Sequence, residues 1–375
     1  MVYIATSLRF AHTTMKIAHV VDSMEVGGAE TLVAQMCQRQ RELGHAPCVL
    51  AVAALGEIGA RMRNEGFYVQ ANVGSHLLDA ARNFYRIFKE LRPDVVHLHN
   101  PTPTIYAALP ARLAGARSVV STRHSLVAPP HKQSQELKYA IAALFCDWIV
   151  GVCDATAANL RNMHNIRPRK IIRIYNGAFP LKRVPKDQCP PKTGFTLVYV
   201  GRLEPIKSHS LLLHAFRIAL PSLPNLRLWM VGDGSERKKL ESLTAELGIA
   251  AQVTFWGQQL DVTPFFSSAD AFVMSSLSEG LPVSLLQGFS LGVPAIVTDV
   301  GGMAEAVRLA NSGLTVSTAD PGDMAAAILE IARDDEDWRR FSENAETAFR
   351  KHFSFRIMAD AYMDLYCKAR SVPAQ

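Results

Sequence analysis

The sequence lacks any charge-free apolar run long enough to cross a bilayer. Its best candidate, Tyr139 to Val150, is interrupted by Asp147, so a membrane-spanning helix is not expected. The first fourteen residues have no basic stretch followed by an apolar core and a small-residue cleavage site, and they do not read as a secretory signal. The six cysteines, Cys37, Cys48, Cys146, Cys153, Cys189 and Cys367, are scattered without a C-x-x-C pair. This argues against a zinc cluster or a disulfide framework and for reduced thiols in a cytoplasmic setting. No repeat of solenoid period is evident. The acidic run Asp334-Asp335-Glu336-Asp337 lies between two helical patterns; it reads as a solvated helix cap rather than a metal motif, and no metal is expected.

With 375 residues, 49% of them hydrophobic, the chain has enough apolar side chains for two domains of ordinary size. Charge is unevenly spread. Residues 1–193 carry 24 Lys and Arg against 13 Asp and Glu, a balance of +11, whereas residues 194–375 carry 16 against 21, a balance of −5. A basic first half suits an anionic partner, either a membrane surface or a charged acceptor. Strand-like and helix-like patterns alternate from Lys16–Asp22 onward, which predicts parallel sheets covered by helices. The Pro- and Lys-rich stretch Pro180 to Lys192 reads as a linker.

The stretch densest in chemistry is Ser275 to Gly302. The apolar run Ala271–Met274 leads into Ser275-Ser276, then Glu279-Gly280-Leu281-Pro282, then an apolar-periodic helix. Pro282 fits the first helical turn, Gly280 permits a tight turn beside a ligand, and the exposed helix N-terminus attracts an anion. Glu279, an acceptor-only group, suits sugar hydroxyls; a plain capping carboxylate is the alternative. Gly27-Gly28-Ala29-Glu30 forms a similar loop between a strand and a helix, open to a phosphate or acceptor, or only a tight turn. Arg202 and Lys207 lie at a strand–loop–helix junction, where a planar fork and a point charge can hold a diphosphate or can stand as a solvated pair. His124 ends the strand Val119–Arg123 at the carboxyl edge, where open α/β sheets bind ligands, or serves a structural purpose. In His97-Leu98-His99-Asn100, alternation along a strand is expected to send the two histidines to opposite faces and so to exclude a metal pair. The helix around Ala80 to Arg92 interleaves Arg82, Arg86, Lys89 and Arg92 with aromatic and aliphatic residues. Such a helix can lie on an anionic bilayer or pack on the core with a solvated basic face.

Taken in order from residue 16 to 370, these motifs resemble the retaining nucleotide-sugar glycosyltransferases of family 4. Their signature has a Glu, seven residues and a second Glu; Glu279 matches the first and Gln287 stands at the second. Gly27, Gly28 and Glu30 match a G-G-x-E loop, and Arg202 and Lys207 match a G-R-L…K-G site in which Ser208 replaces the usual Gly. The resemblance implies an α/β fold of GT-B type, with two Rossmann-like domains about a deep interdomain cleft. It further implies an N-terminal extension over 1–14, an acceptor-side domain over 15–178, a linker over 179–193, a nucleotide-sugar domain over 194–352, and a C-terminal helical segment over 353–375 that crosses back to the first domain. Implied catalytic residues are Glu279 and His124 on the sugar, with Arg202 and Lys207 on the diphosphate. Gly27, Gly28, Gly280, Leu281, Pro282, Gln287, Asp233 and Gly257 would line the donor, and Glu30, His99 and Asn100 would face the acceptor.

The implied activity is metal-independent, retaining transfer of a hexosyl group from a nucleotide diphosphate sugar, a UDP-sugar first and a GDP-sugar second, to a glycan or lipid-linked acceptor. The implied setting is cell-surface polysaccharide synthesis, with no cofactor and no nucleic-acid partner, in the cytoplasm at the inner face of the membrane. Gln287 offers one acceptor where a carboxylate accepts from both ribose hydroxyls, a loss on the order of 1 kcal/mol. A non-catalytic nucleotide-sugar binder therefore stays open, as does a GT-B epimerase, although no acid/base pair for the latter stands out.

Overall fold

The computed structural model describes residues 14–370 except 75, 127–132, 164–165 and 334. The N-terminal extension up to residue 13 and Asp334 of the acidic run lie outside the described residues. Two compact units separate: Met1–Thr122 with Ser134–Ile149 and Tyr366–Gln375, and Arg123–Gln133 with Val150–Leu365.

The first half of the chain alternates β1 (Lys16–Val21), α1 (Gly28–Glu42), β2 (Ala46–Ala51), α2 (Gly56–Asn64), β3 (Tyr68–Gln70), α3 (Leu77–Leu91), β4 (Val95–His99), α4 (Pro101–Ala114), β5 (Ser118–Arg123), α5 (Gln133–Ala143), β6 (Trp148–Gly151), α6 (Asp154–Met163) and β7 (Ile171–Arg173). Its seven-stranded sheet has the order β3-β2-β1-β4-β5-β6-β7. The pairings are parallel, with His19 opposite His97 between β1 and β4. Every residue of β4 and β5 is buried, as expected for strands covered by helices on both faces.

The second half continues with β8 (Thr196–Val200), α7 (His209–Ala219), β9 (Arg227–Val231), α8 (Arg237–Glu246), β10 (Val253–Gly257), α9 (Thr263–Ser268), β11 (Ala271–Met274), α10 (Val283–Ser290), β12 (Ala295–Thr298), α11 (Gly301–Ala310), β13 (Gly313–Val316), α12 (Pro321–Arg333), α13 (Asp335–Ala348) and α14 (Phe355–Arg370). The six-stranded parallel sheet runs β10-β9-β8-β11-β12-β13. Tyr199, Phe216, Phe266, Phe272, Phe289 and Phe353 are fully buried in its core. Burying each such ring removes apolar surface worth about 2 kcal/mol from water, enough in sum to order the short strands between them.

α3 buries Ala80, Phe84 and Phe88 at four-residue spacing and leaves Arg82, Arg86 and Lys89 in solvent. It is a core-packed helix with a wet basic face, the second of the two expectations for this segment. Asp335, Glu336 and Asp337 occupy the first turn of α13, and Asp337 pairs with Arg340 at 2.5 Å, as a solvated cap should. Pro282 precedes α10 at its N-cap position instead of entering the first turn.

Candidate functional site

Each sheet has one point where strand order reverses. In the second it falls between β8 and β11, and in the first between β1 and β4. Loops leaving two such strands diverge and open a crevice at the carboxyl edge. Most of the residues singled out in the sequence follow these four strands; His124 follows β5, Asp233 follows β9, and Gly257 ends β10.

In the second unit, Arg202 and Lys207 follow β8, and Glu279 follows β11. The Lys207 ammonium meets the Glu279 carboxylate in an ion pair with side chains only 17% and 13% exposed. Ser276 donates its hydroxyl to the same carboxylate oxygen at 3.0 Å. The backbone under the pair is tied down twice: Ser275 donates to the carbonyls of Lys207 and Ser208 at 2.9 and 3.0 Å. Ser208 itself stands at φ 49°, ψ 45°, a left-handed conformation in a non-glycine residue. Arg202 is exposed, and its carbonyl accepts the buried Tyr199 hydroxyl at 2.9 Å. Burial, and then the charge of Glu279, push the Tyr199 phenol well above its ordinary range, while Arg202 pulls it down. Tyr199 therefore stays a neutral donor. His209, next but one to Lys207, is held down to about 4, first by burial and then by the Lys207 charge.

The Glu279-Gly280-Leu281-Pro282 loop is shaped by close backbone approaches. A Cβ on Gly280 would collide with the carbonyl oxygen of His124, so this position admits only glycine without displacement. Gly302 donates its N–H to the Gly280 carbonyl at 2.7 Å, and Asn176 donates to the Leu281 carbonyl at 2.8 Å. Gln287 lies half-buried in α10. Burial lowers His124 to about 4, so at neutral pH its ring is uncharged and can both donate and accept. Asp233 accepts from the Gly234 N–H at 2.8 Å and from Arg237 at 3.4 Å. Gly257, at φ 69°, accepts from the Gly232 N–H at 2.8 Å, which brings Asp233 and Gly257 to adjoining strand ends. Ser276, Tyr199 and Arg237 were not anticipated. Ser276 had a signal, since Ser lies three residues before Glu279 in a capping-box spacing; Arg237 had none.

In the first unit, Gly27 caps α1 and Glu30 folds back over it, so that a Cβ on Gly27 would strike the Glu30 carboxylate. Asp22, also unanticipated, follows β1 beside them. Burial raises its carboxyl to about 6, a hydrogen bond from Thr102 opposes this, and the Glu30 charge adds to it. Asn100 caps α4 at φ 72°, ψ 176°, a backbone region that side-chain-bearing residues rarely adopt.

One expectation is corrected here. His97 and His99 do not diverge: residues two apart on a strand share a face, and their ring centroids lie 4.0 Å apart. With His19 from β1 they form a buried cluster in which one nitrogen from each lies within 4.8 Å of the others. Gln40 Oε1 accepts from His19 Nε2 at 3.0 Å. Burial holds His19 down to about 4, so its neutral ring leaves Nδ1 to accept from His99 Nε2 at 3.0 Å. His97 contacts the Tyr366 hydroxyl and the Thr122 hydroxyl, both at 2.7 Å. The ring nitrogens of His19 and His97 are thus already engaged, in two sets of hydrogen bonds that lie side by side. His99 is 4% exposed and turned toward His19, whereas Asn100 sits at the strand end.

Comparison with known proteins agrees with this architecture. Residues 26–178 match the family described as Glycosyltransferase Family 4, and residues 182–348 match Glycosyl transferases group 1. The chain is 32% identical over 219 residues to the lipopolysaccharide core biosynthesis glycosyltransferase LpsD of Rhizobium meliloti, covering 58% of this chain and 63% of the relative. It is 25% identical over 307 residues, covering 76% of this chain and 78% of the relative, to the UDP-Gal:alpha-D-GlcNAc-diphosphoundecaprenol alpha-1,3-galactosyltransferase of Escherichia coli. The match to LpsD thus spans less than two thirds of that relative's length. Among solved structures, Anabaena HepE in complex with UDP and glucose superposes with a TM-score of 0.84 at 19% identity, over 94% of this chain and 100% of the other. WaaG, a glycosyltransferase involved in lipopolysaccharide biosynthesis, superposes with a TM-score of 0.72 at 18% identity, over 92% and 98%. Two Rossmann-like parallel-sheet domains give this chain the GT-B fold, and its two halves are each similar to a glycosyltransferase family over consecutive stretches of sequence.

Proposed function

We propose that this protein is a retaining glycosyltransferase that moves a sugar from a nucleotide diphosphate sugar, a UDP-sugar in the first instance, to a glycan or lipid-linked acceptor in cell-surface polysaccharide synthesis. The observation that carries the proposal is the ion pair of Lys207 and Glu279, with Arg202 on the same loop as Lys207, after the two strands that flank the second sheet's reversal point. Arrival of a diphosphate would give Lys207 and Arg202 a stronger anion than Glu279 and free the carboxylate to accept from sugar hydroxyls. Cationic groups held in advance where the leaving phosphate gathers charge lower the barrier to glycosidic cleavage. The neutral ring of His124 suits a hydroxyl contact and adds no competing charge. No paired carboxylates stand at nucleophile and acid positions among the described residues of the second unit's loops, so the departing phosphate oxygen is assigned the acceptor's proton. The reading is supported by the names of the relatives and by a fold shared with a protein bound to UDP and glucose. The lipid-linked acceptor of the Escherichia coli relative favours work at the inner membrane face.

A panel of nucleotide sugars screened by thermal shift tests the proposal, because a ligand that binds only the folded chain raises its apparent stability. A UDP-sugar should raise it, and Arg202→Ala with Lys207→Ala should abolish the rise; no response to any nucleotide sugar would refute the reading. The half-buried amide of Gln287 favours a second reading, a binder without turnover. Gln287→Glu separates them: a large gain in transfer marks the parent site as crippled and favours the binder, and unchanged transfer marks Gln287 as compatible with the native donor.

A further inference from the structure

Arg202 and Lys207 share one loop between β8 and α7, and a cation lowers the barrier at a leaving phosphate only if it is held in place before the charge develops. Their side chains do not supply that hold by themselves. Arg202 is exposed, and Lys207 is paired with Glu279 in a contact that an arriving diphosphate would break. Their placement therefore falls to the backbone that carries them.

That backbone is gripped by two side-chain hydroxyls, one from each strand flanking the second sheet's reversal point. Tyr199 of β8 donates to the Arg202 carbonyl at 2.9 Å. Ser275, the first residue after β11, donates to the carbonyls of Lys207 and Ser208 at 2.9 and 3.0 Å. Tyr199 and Ser275 are both 0% exposed. β8 and β11 are paired, with Leu197 opposite Ala271 and Val198 opposite Phe272, so the two hydroxyls are anchored to one ladder. The phenol also touches both ends of the loop: a Cβ on Gly201 would lie 2.8 Å from its oxygen, and the ring of His209 meets it edge-on at 4.5 Å between centroids. At the other cation Ser275 secures Ser208, whose backbone is left-handed, and Leu277 donates its N–H to the Ile206 carbonyl at 2.9 Å. A neutral hydroxyl holds a carbonyl without adding charge beside the cations.

We infer that Tyr199 and Ser275 are positioning residues for the diphosphate, Tyr199 acting through Arg202 and Ser275 through Lys207. The inference rests on the assignment of those two cations to a diphosphate and adds to it residues that touch neither the ligand nor the reacting atoms.

Calorimetric titration of the full chain with inorganic pyrophosphate and with UDP tests it. Tyr199→Phe and Ser275→Ala should each weaken both ligands about threefold to tenfold, the worth of one hydrogen bond between neutral groups. Uridine, which has no phosphate and is followed by ligand-observed NMR, should bind each variant as it binds the parent. Double-mutant cycles supply the reading that a plain loss of stability would not reproduce. On an Arg202→Ala background Tyr199→Phe should cost no further affinity, while on a Lys207→Ala background it keeps its effect; Ser275→Ala should show the reverse. Additive losses on both backgrounds, an equal loss for uridine, or undiminished pyrophosphate and UDP affinity in either single variant, whatever its urea midpoint, would overturn the inference. Pyrophosphate keeps the two proposals apart. If the parent binds pyrophosphate but no nucleotide or nucleotide sugar, the enzyme reading falls and the same cycles read with pyrophosphate decide this one. UDP binding that both variants retain in full sinks this one alone, and binding of neither ligand refutes both.

Discussion

The two reversal points of this chain are built on opposite plans. At the second sheet's, ionised groups stand on loops beyond the strand ends: Arg202 is open to water and the Lys207–Glu279 pair is partly so. At the first sheet's, the notable side chains lie on the strands themselves, fully buried, uncharged at His19 and engaged with one another. A group on a loop can change partners when a ligand arrives, whereas a group on a buried strand face can change partners only if the packing opens. The first arrangement suits binding, and the second holds β1, β4 and the end of α14 in register.

If that contrast is right, changes at one point should alter ligand affinity and changes at the other should alter stability. The largest effect is expected from Arg202→Ala and Lys207→Ala, each weakening UDP binding by about tenfold to a hundredfold, the worth of a charge-assisted hydrogen bond, as read by calorimetric titration. Unfolding in urea should barely register Arg202→Ala. Lys207→Ala should also destabilise the fold by about 1–2 kcal/mol, because Glu279 loses its cation in a partly buried place, and adding Glu279→Gln should recover most of that loss. An affinity left intact by both alanines would break the comparison at once.

Acid should act on the buried side. His19 is held down to about 4 in the folded chain, against about 6.5 when unfolded. Between those values the unfolded state binds the extra proton, so stability rises with pH across this window and is lost as pH falls from about 6.5 through 4, by on the order of 3 kcal/mol. Urea midpoints measured from pH 7 to 4 should show the decline, to which His124 and His209, also held down to about 4, add, and His19→Gln should lessen it without abolishing it; a flat profile in the parent protein would contradict a buried, neutral His19. Tyr366→Phe removes the hydroxyl 2.7 Å from His97 and strands a buried ring nitrogen, at a cost of about 1–2 kcal/mol without effect on UDP affinity.

The smallest effect sharpens a likeness between the two points. Each carries one non-glycine residue at positive φ, Asn100 in the first and Ser208 in the second. Replacing either by Gly should relieve backbone strain and stabilise by roughly 0.5–1 kcal/mol in thermal unfolding. A destabilised Ser208→Gly would mean that the side chain does more for the fold than its conformation costs.

Much of the architecture could be read from patterns of residues. The alternation of buried runs such as Ala271–Met274 with helical spacing announced parallel sheets, and the loops at Gly27, Arg202 and Glu279 stood out because each is a short contiguous run at a strand-to-helix junction. What escaped were elements with weak patterns. β3 has three residues, one of them an exposed Tyr68, and α8 buries only Leu240 and Thr244, so neither shows a period. The misjudged direction of His97 and His99 was an error of strand geometry, not missing information. Their partners were beyond reach, since Tyr366 lies 269 residues from His97 and nothing in a linear reading links them.

The residues alone determined the class of fold and the loops at which chemistry would gather, because strand burial, helix periodicity and glycine turns are local and leave their mark within a dozen positions. Only the tertiary structure decided which of those groups are neighbours. It paired Lys207 with Glu279 across 72 positions and gathered His19, His97 and His99 into one buried cluster. Such contacts depend on strand order and crossover hand, which are properties of the packed chain and not of any segment of it.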